Sequence, residues 1–315
     1  MRVFDAEQTA AALPFERLIP ALRARFAAGC VVPTRGVHEI PCADGSVVTS
    51  LLMPAWVPGR CYGVKVINIA PGNAARGLPG LHATYLLHDA DTGVPLALLD
   101  GNVITARRTA AASALAASML ARDDAGHLLV LGAGRVASLL PAAYRCVRDI
   151  TRVSVWTRRP AQAQALVVQL RVDGFNAQAV TDLPAAVAAA DITSCATLAT
   201  EPVVQGAWLR PGSHLDLIGS FTPAMREADD ACFAGASLYV DTAEALAKSG
   251  ELLGPLARGV ITAACVRGTL TTLSRGEVPW RVSLDQRTVF KAVGTALEDL
   301  AAAMLALGLN GDTAG

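Results

Sequence analysis

The stretch His127–Leu140, HLLVLGAGRVASLL, combines a short apolar run, a glycine-rich turn and the start of a helix. Leu128–Leu131 is apolar throughout, as expected for a central parallel strand that is covered on both faces. The turn that follows has the pattern G-x-G-x-x-A, formed by Gly132, Gly134 and Ala137. In this pattern the first glycine permits a tight turn, the second lets a pyrophosphate approach the backbone, and the alanine lets the helix pack close to the strand. The stretch therefore predicts a Rossmann-type dinucleotide site, with N–H groups at the helix start facing the phosphates.

The same pattern also occurs in ordinary strand-to-helix turns, but the next segment favours the nucleotide site. Arg152–Trp156 reads as a second strand, and it follows after a crossover long enough for a helix. In NAD-binding domains an acidic residue about 20 residues past the glycines binds the ribose 2′-hydroxyl. Here the second strand is followed by Thr157, Arg158 and Arg159, without a carboxylate. Arginines suit a 2′-phosphate, so the sequence favours NADPH over NADH; the alternative is a solvated arginine pair at a strand end.

The composition indicates a globular protein without a net charge that would attract nucleic acid or membranes. Of the 315 residues, 52% are hydrophobic and 17% are charged, which suits two domains with large cores and argues against disorder. Lys plus Arg and Asp plus Glu each number 27, so no net charge favours nucleic acid or an anionic membrane.

The N-terminus does not resemble a signal peptide, and no apolar run is long enough to span a membrane. Seven scattered cysteines and five histidines show no ligand spacing, so we expect a reducing cytoplasm and no metal site.

The order of the other elements predicts an α/β protein with a discontinuous first domain. A helical start is expected over 5–28, with a cap near Thr9, followed by antiparallel strands at 47–52, 62–67, 83–87 and 94–99 and a helix at 105–119. Later strands are expected at 176–180, 192–196, 213–218 and 237–240, and their alternation with helical segments indicates a doubly wound parallel sheet.

Domain boundaries follow from the short polar joint at 123–126. We expect a Rossmann domain over 123–284 and a smaller α+β domain formed by 1–122 and 285–315. The last helix, predicted over 289–307, would return the chain to this smaller domain.

Residues 100–111, DGNVITARRTAA, resemble the D-G-x-x-x-T-A-x-R-T-A-A signature of the ornithine cyclodeaminase/mu-crystallin family. Further similarities extend over most of the chain, including the glycine turn, Ala196-Thr197 and the segment from Ile218-Gly219 to Glu227. The resemblance implies a Rossmann domain beside a substrate and dimerisation domain, a nicotinamide cofactor, an amino or imino acid substrate and a homodimer. It leaves the reaction open, because the family includes a deaminating lyase, amino-acid dehydrogenases, imine reductases and a hormone-binding lens protein.

The resemblance also places three cations around the substrate carboxylate, at positions matching Arg35, Lys65 and Arg108. An arginine fork binds a carboxylate bidentately and would hold the adjacent carbon towards the nicotinamide. Lys65 lies in an apolar segment, so burial is expected to lower its pKa towards a value useful for proton transfer. The structural alternatives are a surface helix arginine for Arg108 and an edge-strand lysine for Lys65. Arg107, at the free motif position, is expected to be solvated.

Further cofactor contacts follow from the same resemblance. Thr109 matches the family's phosphate-contacting threonine, although it could instead bond its own helix backbone. The complete set of predicted cofactor residues is Thr109, Gly132, Gly134, Arg135, Val136, Thr157, Arg158, Arg159, Ala196, Thr197 and Gly219.

Phe221 distinguishes between the reactions of the family. Cyclodeaminases and the related alanine dehydrogenases carry an aspartate about where Phe221 stands, and a phenyl ring cannot transfer a proton. We interpret Phe221 as an apolar wall for a small ring, with plain core packing as the alternative. Residues 219–227 look more like the bacterial reductases of cyclic imino acids, and like mu-crystallin, than like the lyase.

The sequence therefore predicts an NADPH-dependent reductase of a cyclic imino acid. The expected reaction converts Δ1-pyrroline-2-carboxylate to proline, with Δ1-piperideine-2-carboxylate as a second substrate. The first alternative is ornithine cyclodeaminase, an NAD-dependent lyase. The second is a non-catalytic binding protein like mu-crystallin.

Overall fold

The computed structural model describes residues 1–309, in two compact units. Of the described residues, the first unit contains 1–108 and 295–309, and the second contains 109–294. The division between these units falls between Arg108 and Thr109. One continuous helix, Gly101–Leu120, contains this point.

The elements alternate as the hydrophobic pattern indicates. In chain order the first elements are β1 (Arg2–Phe4), α1 (Ala6–Ala11), α2 (Phe15–Ala28), β2 (Gly36–Pro41), β3 (Val47–Val57), β4 (Cys61–Ile69), β5 (Leu81–Asp89), β6 (Pro95–Asp100) and α3 (Gly101–Leu120). They are followed by β7 (His127–Leu131), α4 (Leu140–Arg145), β8 (Arg152–Trp156), α5 (Pro160–Val172), β9 (Ala177–Ala179), α6 (Leu183–Ala189), β10 (Ile192–Cys195), β11 (His214–Leu217), β12 (Ser237–Val240), α7 (Ala245–Lys248), α8 (Gly250–Ala257), β13 (Val266–Thr269), α9 (Leu270–Ser274), β14 (Thr288–Lys291) and α10 (Ala296–Ala306).

A six-stranded sheet forms the centre of the first unit, in the order β1-β6-β5-β4-β3-β2. The strands β2 to β6 pair antiparallel, and β1 pairs parallel with β6. Met53, Lys65, Tyr85 and Leu99 are directly opposite one another on successive strands, so they share one face, and all four are buried. Helix α10 packs against β3, β4 and β5. The core of this unit therefore lies between that sheet face and the helices.

The expected helical start divides into two helices. Pro14, in an extended conformation, precedes α2 and separates it from α1. The cap of α1 is Asp5, whose carboxylate accepts a hydrogen bond from Gln8 N at 2.8 Å. Thr9, expected near the cap, instead lies buried inside α1. The prediction of the cap was therefore wrong.

The second unit contains an eight-stranded parallel sheet, in the order β13-β12-β14-β11-β10-β7-β8-β9. Chain order reverses between the neighbours β7 and β10, which creates the crevice where ligands of such sheets bind. The residues of β7, β10 and β11 are all buried. The predicted doubly wound α/β fold is confirmed.

The C-terminal region departs from the predicted helix over 289–307. Its first part is the strand β14, which lies between β11 and β12. Gly294 then adopts a positive φ of 78°, and α10 begins at Ala296. A short apolar segment with β-branched residues can form a buried strand as readily as a helix, and periodicity alone does not distinguish them. Among residues 1–309, no helix has both the length and the apolar character needed to cross a membrane.

Candidate active site

The motif at 100–111 positions Arg108 through the start of α3. The Asp100 carboxylate accepts a hydrogen bond from Val103 N at 2.8 Å and so caps the helix. Gly101 lies against the backbone of β5, where a Cβ atom would come within 2.7 Å of Thr84 N. The helix can therefore begin directly against the sheet, and Arg108 follows two turns later.

Lys65 and Arg108 meet at a shared carboxylate, that of Asp299. The Lys65 Nζ atom donates to Asp299 Oδ1 at 2.7 Å, and Arg108 Nε donates to the same oxygen at 3.1 Å. Arg108 Nη1 also donates to Glu298 Oε2 at 2.7 Å. Lys65, Glu298 and Asp299 have no solvent exposure, and Arg108 is 6% exposed. The structure thus brings two of the three predicted cations together, and the alternative of a surface arginine is wrong.

Sequence reasoning did not identify Glu298 and Asp299. They are adjacent carboxylates in the first turn of α10, a helix whose residues from Ala296 to Leu305 are all buried. Buried carboxylates require cationic or hydrogen-bonding partners. Two acids within an otherwise apolar helix were therefore the signal that could have identified them.

Burial changes the acid–base chemistry of Lys65. Removal of water lowers the pKa of the Lys65 ammonium, Asp299 opposes this effect, and the positive charge of Arg108 adds to it, so that the resulting pKa is about 8. The predicted direction of the pKa shift is confirmed. A lysine with this pKa can donate a proton near neutral pH.

Arg35 precedes strand β2, and Arg107 lies on helix α3. Arg35 is half-buried and immediately precedes Gly36, which pairs with Leu52 on β3. Arg107 is half-buried: its Nε donates to Leu13 O at 2.7 Å, and its guanidinium lies 4.4 Å from the centre of the Phe15 ring. The expectation that Arg107 is solvated was wrong, because the side chain anchors the helix to the segment before α2.

In the second unit, the glycine turn has the geometry that close backbone approach requires. Gly132 adopts a φ of 118°, and a Cβ atom there would contact the carbonyl oxygen of Ala196. A Cβ atom at Gly134 would meet only open space, so this backbone is accessible to a ligand. Ala137 is buried and begins a 3₁₀ turn, and the α-helix begins only at Leu140. The helix after the turn is therefore shorter than its pattern indicates, since Pro141 favours a helix start at this point.

A cavity of about 290 Å³ lies beside this turn. Of the predicted cofactor residues, it is lined by Gly132, Gly134, Thr157, Arg158, Arg159, Ala196 and Thr197. Arg158 and Arg159 are exposed, and the Thr157 hydroxyl donates to Arg159 O at 2.6 Å. The cavity therefore combines an open glycine backbone with two guanidinium groups, which fits a dinucleotide phosphate.

The remaining predicted residues of this unit are more dispersed. Arg135 is exposed and Val136 is half-buried, in the turn after Gly134. Thr109 is buried within α3. Phe221 lies in the loop after β11 and is 47% exposed, so plain core packing does not account for it.

Comparison with known proteins identifies the family to which this chain belongs. Residues 24–307 match the sequence profile of the ornithine cyclodeaminase/mu-crystallin family. The chain belongs to this family. It is 51% identical over 256 residues to a Delta(1)-pyrroline-2-carboxylate reductase of Paracoccus denitrificans, covering 80% of each chain.

Two solved structures share the complete architecture. The Delta(1)-pyrroline-2-carboxylate reductase of Thermococcus litoralis, in complex with NADH and L-proline, has a TM-score of 0.91 and 31% identity, covering 98% of this chain and 97% of that chain. An archaeal alanine dehydrogenase dimer with bound NAD has a TM-score of 0.90 and 27% identity, covering 98% and 95%. The predicted family resemblance is confirmed.

Proposed function

We propose that this protein is an NADPH-dependent reductase of cyclic imino acids. It converts Δ1-pyrroline-2-carboxylate to proline and accepts Δ1-piperideine-2-carboxylate as a second substrate. The observation that carries the proposal is the buried pairing of Lys65 and Arg108 on one carboxylate, in a chain that is 51% identical to a named reductase of this substrate.

The three cationic side chains bind the substrate carboxylate, and one of them supplies the proton for the ring nitrogen. Arg35 and Arg108 hold the substrate carboxylate, and Lys65 adds positive charge beside it. A lysine ammonium has three N–H donors, so Lys65 can contact Asp299 and a substrate together. With its pKa near 8, Lys65 supplies the proton that the ring nitrogen gains. The reduced nicotinamide, when bound, supplies the hydride that the imine carbon receives.

The second unit binds the cofactor and determines its type. The backbone at Gly132 and Gly134 faces the pyrophosphate, with Arg135, Val136 and Thr109 completing the phosphate site. Arg158 and Arg159 bind the 2′-phosphate, and the 157–159 segment offers no carboxylate to bind a free 2′-hydroxyl. These arginines are the basis for a preference for NADPH over NADH, although the Thermococcus litoralis enzyme is described with NADH.

Phe221 favours reduction over deamination. Its exposed ring follows β11 and cannot exchange protons, as a cyclodeaminase requires at this position. An exposed aromatic ring in this loop suits contact with a small apolar ring of the substrate.

The open sheet face of the first unit supports a homodimer. We define this face by residues Leu52, Pro54, Val64, Val66, Leu86 and Leu98, which are directly opposite one another on β3 to β6 and point away from Lys65. All six are exposed or half-buried, so a partner subunit would remove a contiguous apolar surface from water. The related alanine dehydrogenase is a dimer.

The cysteines support a cytoplasmic location. All seven are free, which suits a reducing cytoplasm.

A charge reversal tests the carboxylate clamp. Arg108→Glu is expected to abolish reduction of Δ1-pyrroline-2-carboxylate while NADPH still binds. Arg107→Gln is the matched control on the same helix, since Arg107 lies outside the Lys65 cluster, and it should retain activity. Undiminished turnover by Arg108→Glu would remove the clamp from the proposal.

A further inference from the structure

Glu227 joins the two loops that follow β10 and β11. Its Oε1 atom accepts hydrogen bonds from the backbone N–H and the hydroxyl of Thr197, each at 2.8 Å. Its Oε2 atom accepts a third from Gly219 N at 2.7 Å. The side chain is completely buried. One carboxylate therefore holds two loops at the carboxyl edge of the sheet.

These loops also contact each other and the glycine turn. A Cβ atom at Gly219 would collide with the carbonyl oxygen of Thr197, and one at Gly132 would contact that of Ala196. Ala196 N donates to Leu131 O at 2.9 Å, at the end of β7. A displacement of Thr197 would therefore be transmitted to the wall of the cavity beside the glycine turn.

The surrounding backbone fixes the direction of the Glu227 carboxylate. The Glu251 carboxylate accepts hydrogen bonds from the N–H groups of Glu227 and Ala228, each at 2.8 Å. The carbonyl oxygen of Glu227 accepts two more, from Val203 N and Val204 N. These bonds hold the residue in place before any ligand binds.

The titratable neighbours of Glu227 lie on three elements. Lys291 on β14 favours the carboxylate, whereas Glu251 on α8 disfavours it, and burial is the largest influence. The thiol of Cys195 on β10 stays protonated, because burial raises its pKa well above the usual value. Burial and the charge of Glu251 outweigh Lys291 and the hydrogen bonds from Thr197, so the pKa of Glu227 is raised to about 7. When protonated, the Glu227 carboxyl would direct an O–H group towards the three hydrogen-bond donors of Thr197 and Gly219, and one of these bonds would be lost.

We propose that Glu227 is a positioning residue for the nicotinamide cofactor, because its ionised carboxylate sets the spacing of the Thr197 and Gly219 loops. The inference rests on the cofactor site of the proposed function. It adds that cofactor affinity depends on one buried carboxylate that does not line the cavity.

Equilibrium binding of NADH, without any imine, tests this role. NADH is the probe because the 2′-phosphate of NADPH itself titrates, as phosphate monoesters do near pH 6. Wild-type protein is expected to bind NADH about tenfold more weakly at pH 6 than at pH 8, in proportion to the ionised fraction of Glu227. Calorimetry in two buffers should detect release of about half a proton on binding at pH 7. Glu227→Gln should weaken NADH and NADPH binding at pH 8 and abolish both the pH dependence and the proton release.

A matched control and a folding check accompany the variant. Glu201→Gln removes an exposed carboxylate four residues after Thr197 and should bind both cofactors as the wild type does. A folded Glu227→Gln protein with wild-type affinity and pH dependence would overturn the proposal. If this variant does not fold, the wild type decides: pH-independent NADH binding without proton release overturns the proposal, and the expected dependence supports it. Because no substrate is present, an error in the proposed reaction leaves these results unchanged.

Discussion

Lys65 Nζ lies 2.7 Å from Asp299 Oδ1, and neither side chain has access to solvent. The two residues are 234 positions apart, so the C-terminal helix completes the charge balance of a strand near the start of the chain. Arg108 shares the same carboxylate. Asp299 therefore holds the lysine in position and opposes the lowering of its pKa by burial.

Asp299→Asn should destabilise the protein, because it leaves two buried cations with less compensating charge. Breaking a buried ion pair from one side costs about 3–5 kcal/mol, which urea unfolding would detect as a lower midpoint. The double variant Lys65→Met with Asp299→Leu should recover much of this stability, because apolar side chains replace the ion pair. It should nevertheless be inactive. A wild-type midpoint for Asp299→Asn would show that the pair contributes little.

The pH dependence of kcat/KM should report the protonation of Lys65. The Lys65 side chain has a pKa near 8, so it carries a proton and a positive charge below that pH and loses both above it. Reduction of the imine should therefore decline above about pH 8, by about tenfold for each further pH unit. Lys65→Arg should move this decline to higher pH, since a guanidinium stays protonated. A decline that stays near pH 8 in Lys65→Arg would assign it to another group.

Cofactor preference should depend on the arginines after β8. The double variant Arg158→Gln and Arg159→Gln removes two charge-assisted hydrogen bonds to a 2′-phosphate, each worth about tenfold in affinity. We expect KM for NADPH to rise about 10- to 100-fold on this basis, with little change for NADH. Equal effects on the two cofactors would exclude 2′-phosphate recognition by these residues.

The oligomeric state should depend on the open sheet face. Leu86→Asp introduces a charge at a position between Val64 and Leu98, where a buried carboxylate would oppose association. Light scattering should show a dimer for the wild type and a monomer for Leu86→Asp. Val172→Asp, an exposed position on α5, should stay dimeric as the control. A wild-type monomer would contradict the dimer, and a dimeric Leu86→Asp would place the interface elsewhere.

The parts of the fold that local chemistry determines could be predicted from the sequence. The glycine turn at 132–137 and the motif at 100–111 each specify their structure through neighbouring residues, such as the cap at Asp100 and the close approach at Gly101. The strand β14 could not be recognised, because its four residues, of which only Val289 and Phe290 are apolar, carry no distinctive period before a helix.

The partners of the site residues were less predictable. Glu298 is 190 residues from Arg108, so no local spacing connects them. Glu227 stands at the end of a segment that resembles the family, but nothing in the sequence indicates that its carboxylate joins two loops. Arg107 and Arg108 are adjacent, and only the packing of α3 shows that one anchors the helix to Leu13 while the other enters the buried cluster.

The most direct test of the central claim is the oxidation of NADPH by the purified protein with Δ1-pyrroline-2-carboxylate, followed by the loss of reduced nicotinamide absorbance. Parallel reactions contain NADH with the same imine, and ornithine with NAD in an assay for ammonia. We predict rapid oxidation of NADPH, formation of proline and no ammonia from ornithine. Ammonia release from ornithine without imine reduction would identify a cyclodeaminase and contradict the interpretation of Phe221. Tight NADPH binding without turnover of either imine would contradict an enzymatic role and indicate a binding protein.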